Sequence, residues 1–340
     1  MINIMKIVLV LIGTLIGAGF ASGREIFLFF EQYGVKGIIG IIVSSIICGA
    51  IIYKVLELTR KNEINTYNQL LNIINEKHYN INKVINLIVN TFLLISFYIM
   101  IAGFSAYMEQ IYMIPTYISS IIFVLICYII FKGSIQGVVK ANEILVPILI
   151  ILIAYLGIKN ISFIKQIDFN CIYSIKQRGW FISSVLYASY NSIILIPVLT
   201  SLQNYIIDKK SIVKISILSS VIITVLALFI FTLLLKGNYH ILQLEMPLIE
   251  ITIEFGRIFK YIYGFIIVAS IFTSAISTGY SFLKNTSKTK EMYNIVLLII
   301  SITGIIVSHI GFSNLVEFLY PVFGILGILQ IFFIFKTKTK

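Results

Sequence analysis

The chain has 340 residues, of which 59% are apolar and 12% charged, against roughly 25% charged in soluble domains, and its mean hydropathy is +1.00. That balance excludes a soluble globule, which could not hide so much apolar surface. The net charge of +12 rests on lysines and arginines placed singly in short connecting segments, which excludes the clustered basic face that nucleic acid requires.

Apolar runs long enough to cross a hydrocarbon core of about 30 Å predict ten transmembrane helices. The first five lie near Met5 to Glu31, Val35 to Glu57, Val84 to Tyr112, Ile114 to Phe131 and Ile144 to Ile158. A polar connector over residues 159–177 follows. Five more lie near Gly179 to Leu202, Ile212 to Leu235, Tyr261 to Leu283, Tyr293 to Ile310 and Leu315 to Phe335. The expected fold class is therefore all-α integral membrane, a single transmembrane domain in lipid with two five-helix halves, residues 1–158 and 178–335. Equal odd-numbered halves must cross in opposite orientations, which is an inverted repeat. Lys6, the run to Ile16 and the small residues around Ala21 imitate a cleavable leader, but the apolar run continues through Phe30.

Lysine and arginine are more frequent in the segments that lie inside if the N-terminus is cytoplasmic, among them Lys54, Arg60, Lys77, Lys132, Lys209, Lys288 and the tail Lys336 to Lys340. The positive-inside rule then puts both termini in the cytoplasm of a bacterial cell membrane. Residues Asn65 to Tyr79 read as a short amphipathic helix at the cytoplasmic surface or as a solvated linker. Met246 to Phe259, opened by Pro247, reads as an extracellular helix capping a vestibule or again as a linker.

Cys48 and Cys127 lie in apolar spans and Cys171 in a loop, while His78, His240 and His309 are scattered. Neither a disulfide framework nor a metal cluster is expected. No nucleophile-base pair or phosphate-cradling loop accompanies the intramembrane polar residues, so the chain reads as neither an enzyme nor a cofactor binder.

Chemistry concentrates in the first span, where Gly13-Thr14-Leu15-Ile16-Gly17-Ala18-Gly19-Phe20-Ala21-Ser22-Gly23-Arg24-Glu25-Ile26 makes a poor continuous helix. Unwound backbone at membrane depth is tolerated only where it is buried in protein or lines a cavity. There its amides favour anions and its carbonyls favour cations. The same glycines could instead form a Gly-x-x-x-Gly packing face, although packing alone leaves Arg24 and Glu25 without a purpose. Charges at depth are costly and invite a functional reading. In the sixth span, Ser189-Tyr190-Asn191-Ser192 sits near the middle with Pro197 beyond it. Those side chains could open a second break or simply bond across helices. The eighth span carries Ser270, Thr273, Ser274, Ser277 and Thr278, hydroxyls that often bond their own helix.

The string IGTLIGAGFASGREIFLFF resembles the opening helix of YkvI-type bacterial membrane proteins, members of the amino acid–polyamine–organocation transporter superfamily. The resemblance implies the LeuT-type fold, with first and sixth helices discontinuous around a central site. It further implies a sodium ion as coupling ion, held by the carbonyls of Gly13, Ile16 and Ser270 and the hydroxyls of Thr273 and Ser274. No lysine lies between Ile144 and Ile158 to replace that ion, as one does in some sodium-independent relatives. By the same resemblance, the amides of Gly17, Ala18 and Gly19 would hold a carboxylate of a small organic solute such as an amino acid, faced by Ser189, Tyr190, Asn191 and Ser192, with Tyr98 as a further contact. Arg24 and Glu317 would close a vestibule outside the break, although the gating arginine of such transporters aligns one position earlier, at Gly23; pairing of Arg24 with Glu31 or Glu109 is the alternative. The function so implied is sodium-coupled secondary transport. A ligand-sensing receptor subunit with transporter architecture is the other reading.

Overall fold

A computed structural model describes residues 2–64, 67–74, 79–132, 136–160, 175–202, 208–287 and 289–337. Cys171, Lys77, Lys288 and most of the 159–177 connector lie outside the described residues. Within them every predicted span is occupied by helix, and no strand is present. The first span is made of α1 (Ile2–Leu15), α2 (Ala18–Ser22) and α3 (Arg24–Phe29). It is followed by α4 (Val35–Lys61), α5 (Tyr67–Ile74), α6 (Tyr79–Tyr112), α7 (Thr116–Lys132) and α8 (Gln136–Lys159). The second half comprises α9 (Trp180–Ser201), α10 (Lys209–Leu234), the short α11 (Tyr239–Leu242) and α12 (Pro247–Ile251), then α13 (Arg257–Thr286), α14 (Lys290–Ser308) and α15 (Phe312–Lys336). Among the described residues seven helices are long and apolar enough to cross a membrane: α4, α6, α9, α10, α13, α14 and α15. The α7 helix and the part of α8 from Pro147 onward are apolar but shorter.

Helix ends follow local chemistry. Asp208 caps α10 by accepting the Ser211 amide at 3.0 Å, and Thr289 caps α14 by accepting the Met292 amide at 3.2 Å, the preferred use of such side chains at N-caps. The Ser211 hydroxyl, and after it the Ser211 amide, hold the Asp208 carboxyl below its ordinary range. Pro247 opens α12 in its first turn, as its missing amide permits, so of the Met246 to Phe259 segment residues 247–251 form a short helix, followed by a 3-10 turn over Thr252–Phe255 that ends at Gly256. It is fixed to α6 by Gln110, which accepts the Met246 amide at 3.1 Å and donates to the Met246 carbonyl at 3.3 Å.

The helix expected over Asn65 to Tyr79 forms as α5, but its apolar face does not meet lipid. Leu70 and Leu71 are buried, and the Tyr67 hydroxyl accepts a hydrogen bond from Gln330 on α15 at 2.8 Å. The bundle itself covers this face.

At the centre, α1 packs on α10 and α9, α9 lies between α4 and α15, and α13 runs against α6 and α2. The sixth-span break anticipated above does not occur: α9 is continuous from Trp180 to Ser201 through Pro197. Four of its polar side chains are satisfied without unwinding. Ser184, Asn191, Ser192 and Thr200 bond the carbonyls of Trp180, Tyr187, Ser189 and Pro197 at 2.7, 3.0, 2.6 and 2.7 Å, and no glycine interrupts the helix. The first span, with four glycines over the same length, does break.

Gly23 sets the direction of α3. It sits at φ 84° and ψ −9°, the left-handed region that costs other residues about 1–2 kcal/mol, and a Cβ there would lie 2.8 Å from Leu248 Cγ and 3.2 Å from Leu234 Cδ2. Gly23→Ala should therefore destabilise the protein by about 1–3 kcal/mol. Thermal unfolding in detergent checks this; a melting temperature equal to that of the wild type would mean that the turn tolerates a side chain.

Candidate functional site: the break in the first helix

Helical bonding in the first span stops at Ile16, whose amide donates to the Ile12 carbonyl at 2.8 Å, and resumes when the Ala21 amide donates to the Gly17 carbonyl at 3.0 Å. Between these points no backbone amide bonds to the carbonyls of Gly13, Thr14, Leu15 or Ile16. Buried backbone groups are normally paired, so these carbonyls, those of buried Leu15 and Ile16 above all, are oxygens free to act as ligands. Gly17, in extended backbone, caps α2, and nothing lies within 4 Å of where a Cβ on it would sit.

The turn at Gly23 sends the two charged residues that follow it in different directions. Arg24 turns toward α15 and α11: its guanidinium lies 3.6 Å from the Glu317 carboxylate and donates to the Leu242 carbonyl at 3.1 Å. Of the partners considered for Arg24, the structure places Glu317 in contact. Glu109 instead accepts the Thr116 hydroxyl at 2.7 Å, and one carboxylate oxygen of buried Glu31 has no partner. Because the Glu317 side chain is 57% exposed, the pair is worth at most about 1 kcal/mol.

Glu25, the next residue, folds back toward the start of α2. Its carboxylate lies against the Phe20 amide and fills the position that a Cβ on Gly19 would take. The Tyr190 hydroxyl donates to it, and the residue is only 3% exposed. Three aromatic rings surround this tyrosine. Tyr190 stacks between Phe29 at 5.5 Å and Tyr320 at 4.6 Å and meets Tyr187 edge-on at 5.4 Å. On the far side of Phe29 opens a cavity of about 350 Å³, lined also by Leu28, Gln32, Tyr33, Ser183 and Glu317. Ser183 fixes its wall by donating to the Phe29 carbonyl at 2.8 Å.

The remaining predicted residues divide. Ala18 and Gly19 lie buried at the start of α2, and Tyr190 reaches the break from α9. Its neighbours do not: Asn191 and Ser192 bond their own helix, and Ser189 is buried with its hydroxyl unpartnered, its backbone lying under Gly327. Tyr98 is turned to α14, sharing a hydrogen bond with Thr303 at 2.5 Å and packing on Gly304. In α13, Thr273 donates to the Ser270 carbonyl at 3.0 Å, which leaves the lone pairs of its own oxygen available, and the Ser274 carbonyl accepts from Thr278 at 2.8 Å. The same helix reaches the first span where Tyr263 donates to the Ala21 carbonyl at 2.6 Å. No hydrogen bond joins Thr273 or Ser274 to Gly13 or Ile16.

Sequence reasoning missed the inward turn of Glu25 and the roles of Phe29, Tyr187 and Tyr320. One signal was present: an acidic residue two positions after a glycine inside an apolar span is expensive unless something there uses it.

No protein-family model matches the chain. It is similar to the uncharacterized membrane protein YkvI of Bacillus subtilis (strain 168), 27% identical over 326 residues, covering 94% of this chain and 91% of that protein. It is also similar to the uncharacterized protein YyaD of the same organism, 23% identical over 329 residues, covering 95% and 94%. Among solved structures, a mutant of the Eremococcus coleocola manganese transporter superposes with a TM-score of 0.59 at 14% identity, over 96% of this chain and 77% of that one. MhsT in complex with L-phenylalanine superposes with the same score at 17% identity, over 96% and 88%. The chain is thus an integral membrane protein, similar to YkvI, with a LeuT-type helical fold. The expected resemblance therefore extends over nearly the whole length.

Proposed function

We propose that the chain is a secondary active transporter carrying a small organic solute through a centre at the break of the first helix. The observation behind this reading is the interruption itself, where four carbonyls accept no backbone amide and a buried carboxylate folds back onto the helix that follows, in a fold shared with a transporter. Backbone is left unsatisfied in a membrane only where a cavity or ligand uses it. Manganese is named for the Eremococcus coleocola protein, but among the described residues no three His, Cys, Asp or Glu side chains converge as ligands of such an ion would. An organic solute suits the aromatic lining better. Arg24 and Glu317, beside the cavity, form the gate of this transporter.

Sodium is the coupling ion in this reading. The carbonyls of Gly13 and Ile16 accept no backbone amide, and together with the Ser270 carbonyl and the hydroxyls of Thr273 and Ser274 they offer an all-oxygen set suited to a hard alkali cation. Sodium-22 binding to the purified protein tests this. Replacing both Thr273 and Ser274 with alanine removes two of five ligands, and half-saturation should then require at least roughly tenfold more sodium, a loss of about 1.4 kcal/mol. Equal half-saturation in the two proteins would leave these residues as packing hydroxyls and remove sodium from the reading. Counterflow of labelled solute in proteoliposomes separates a transporter from a receptor of the same architecture, since only the former exchanges its ligand.

A further inference from the structure

The cavity beyond Phe29 opens between α9 and α15 on the surface that meets lipid. Ile182, on its wall, is 64% exposed, and Phe318, next to the lining residue Glu317, is 72% exposed. Both helices are long and apolar enough to span a membrane, so large apolar side chains exposed on them face acyl chains. The cavity lies at the depth of the head groups. Glu317 lies five residues beyond Phe312, where α15 begins, about 7.5 Å along the helix, and head groups occupy roughly 5–8 Å on each side of the hydrocarbon core. Trp180, which opens α9, is of the type that favours this band. The walls divide by polarity: Lys176 and Glu317 bring opposite charges, while Ile182, Leu186 and Pro321 are apolar. The Glu317 carboxylate is incompletely satisfied. Arg24 stands 3.6 Å from it, too far for a hydrogen bond, and no other described residue donates one.

We infer that this cavity is a binding site for a phospholipid with a primary ammonium head group, phosphatidylethanolamine, drawn from the leaflet that meets the N-terminal ends of α9 and α15. Its ammonium, with three donors, supplies the hydrogen bonds that Glu317 lacks. Its phosphate lies beside Lys176, and one acyl chain runs down the apolar wall of Ile182, Leu186 and Pro321. A choline head group carries the same charges but has no N–H to donate, and a glycerol head group brings only negative charge to a carboxylate. A solute from water would leave the apolar wall uncovered. The lipid is a ligand here and not the cargo, since Phe29 stands between the cavity and Tyr190. An ammonium on Glu317 competes with Arg24 and so loosens their pair. That consequence rests on the gate proposed above; the binding site does not.

The test uses the full chain, stripped of lipid in detergent, and three lipids with the same dioleoyl chains: phosphatidylethanolamine, phosphatidylcholine and phosphatidylglycerol. Binding is read by native mass spectrometry. Phosphatidylethanolamine should bind at least tenfold more tightly than either of the others. Glu317→Gln should remove that preference, whereas Glu254→Gln, at an exposed carboxylate that pairs with Lys236 outside the cavity, should keep it. Ile182→Trp, which narrows the mouth from the lipid side, should weaken phosphatidylethanolamine at least tenfold and leave the melting temperature of the lipid-free protein unchanged. Equal binding of the three lipids overturns the inference, as does a preference for phosphatidylglycerol. So does a phosphatidylethanolamine preference that survives Glu317→Gln. Soluble glycerophosphoethanolamine binding as tightly as the lipid would also overturn it and assign the cavity to a solute from water. Where Glu317→Gln does not fold, the wild-type comparison and Ile182→Trp decide. Counterflow in proteoliposomes with and without phosphatidylethanolamine reads the gate separately: no difference there, with the binding preference intact, removes the gating consequence and upholds the site.

Discussion

Replacing Gly327 with leucine is expected to leave no folded protein, and replacing it with alanine to cost about 1–3 kcal/mol, the usual penalty for forcing added volume into a close contact. The reason is the approach of α15 to α9. A Cβ on Gly327 would overlap the Ser189 carbonyl, and one on Gly324, a turn earlier, would lie 2.8 Å from the Leu186 carbonyl oxygen. Backbone oxygens in a helix cannot swing aside as a side-chain tip can. Small residues at this spacing let membrane helices pack backbone to backbone. The same approach brings Tyr320 on α15 within 4.6 Å of Tyr190, whose hydroxyl reaches Glu25. Recovery of monodisperse protein from detergent and the melting temperature measure the effect. An alanine variant that melts with the wild type would show that the helices stand further apart than described.

The parts of this architecture that were legible in the sequence are those fixed by local composition. Helix positions followed from apolar runs bounded by charge, and the first break from four glycines within a fourteen-residue stretch. The sixth span misled because polarity is not the same as interruption: Asn191 and Ser192 find acceptors one turn back, and without glycine nothing favours unwinding. Glu25 was out of reach for a different reason. Whether it faces outward with Arg24 or inward depends on the left-handed turn at Gly23 and on a partner 165 residues away. Tyr320, distant in sequence from every motif, enters the site only through the packing of α15. The Arg24 and Glu317 contact was anticipated from the family resemblance, not from any local pattern.

Gly17→Leu is expected to abolish binding of the solute, by at least about a hundredfold or roughly 2.7 kcal/mol, while leaving the fold close to that of the wild type. The two halves of this expectation come from one observation. Gly17 has ordinary extended backbone, φ −87° and ψ −173°, so a side chain imposes no strain there, and nothing stands within 4 Å of its Cβ position. A leucine is thus accepted by the backbone and projects into the room the break leaves open. Gly19, two residues on, behaves oppositely, since even an alanine there meets the Glu25 carboxylate and must push it aside. Gly19→Ala should therefore lower the melting temperature whereas Gly17→Leu should not. Thermal shifts with a panel of free amino acids as probes read the binding, and unfolding without ligand reads the fold. If Gly17→Leu binds the same probe as tightly as the wild type, the space beside Gly17 is not where the solute sits, and the interruption of the first helix would have to be explained by packing alone.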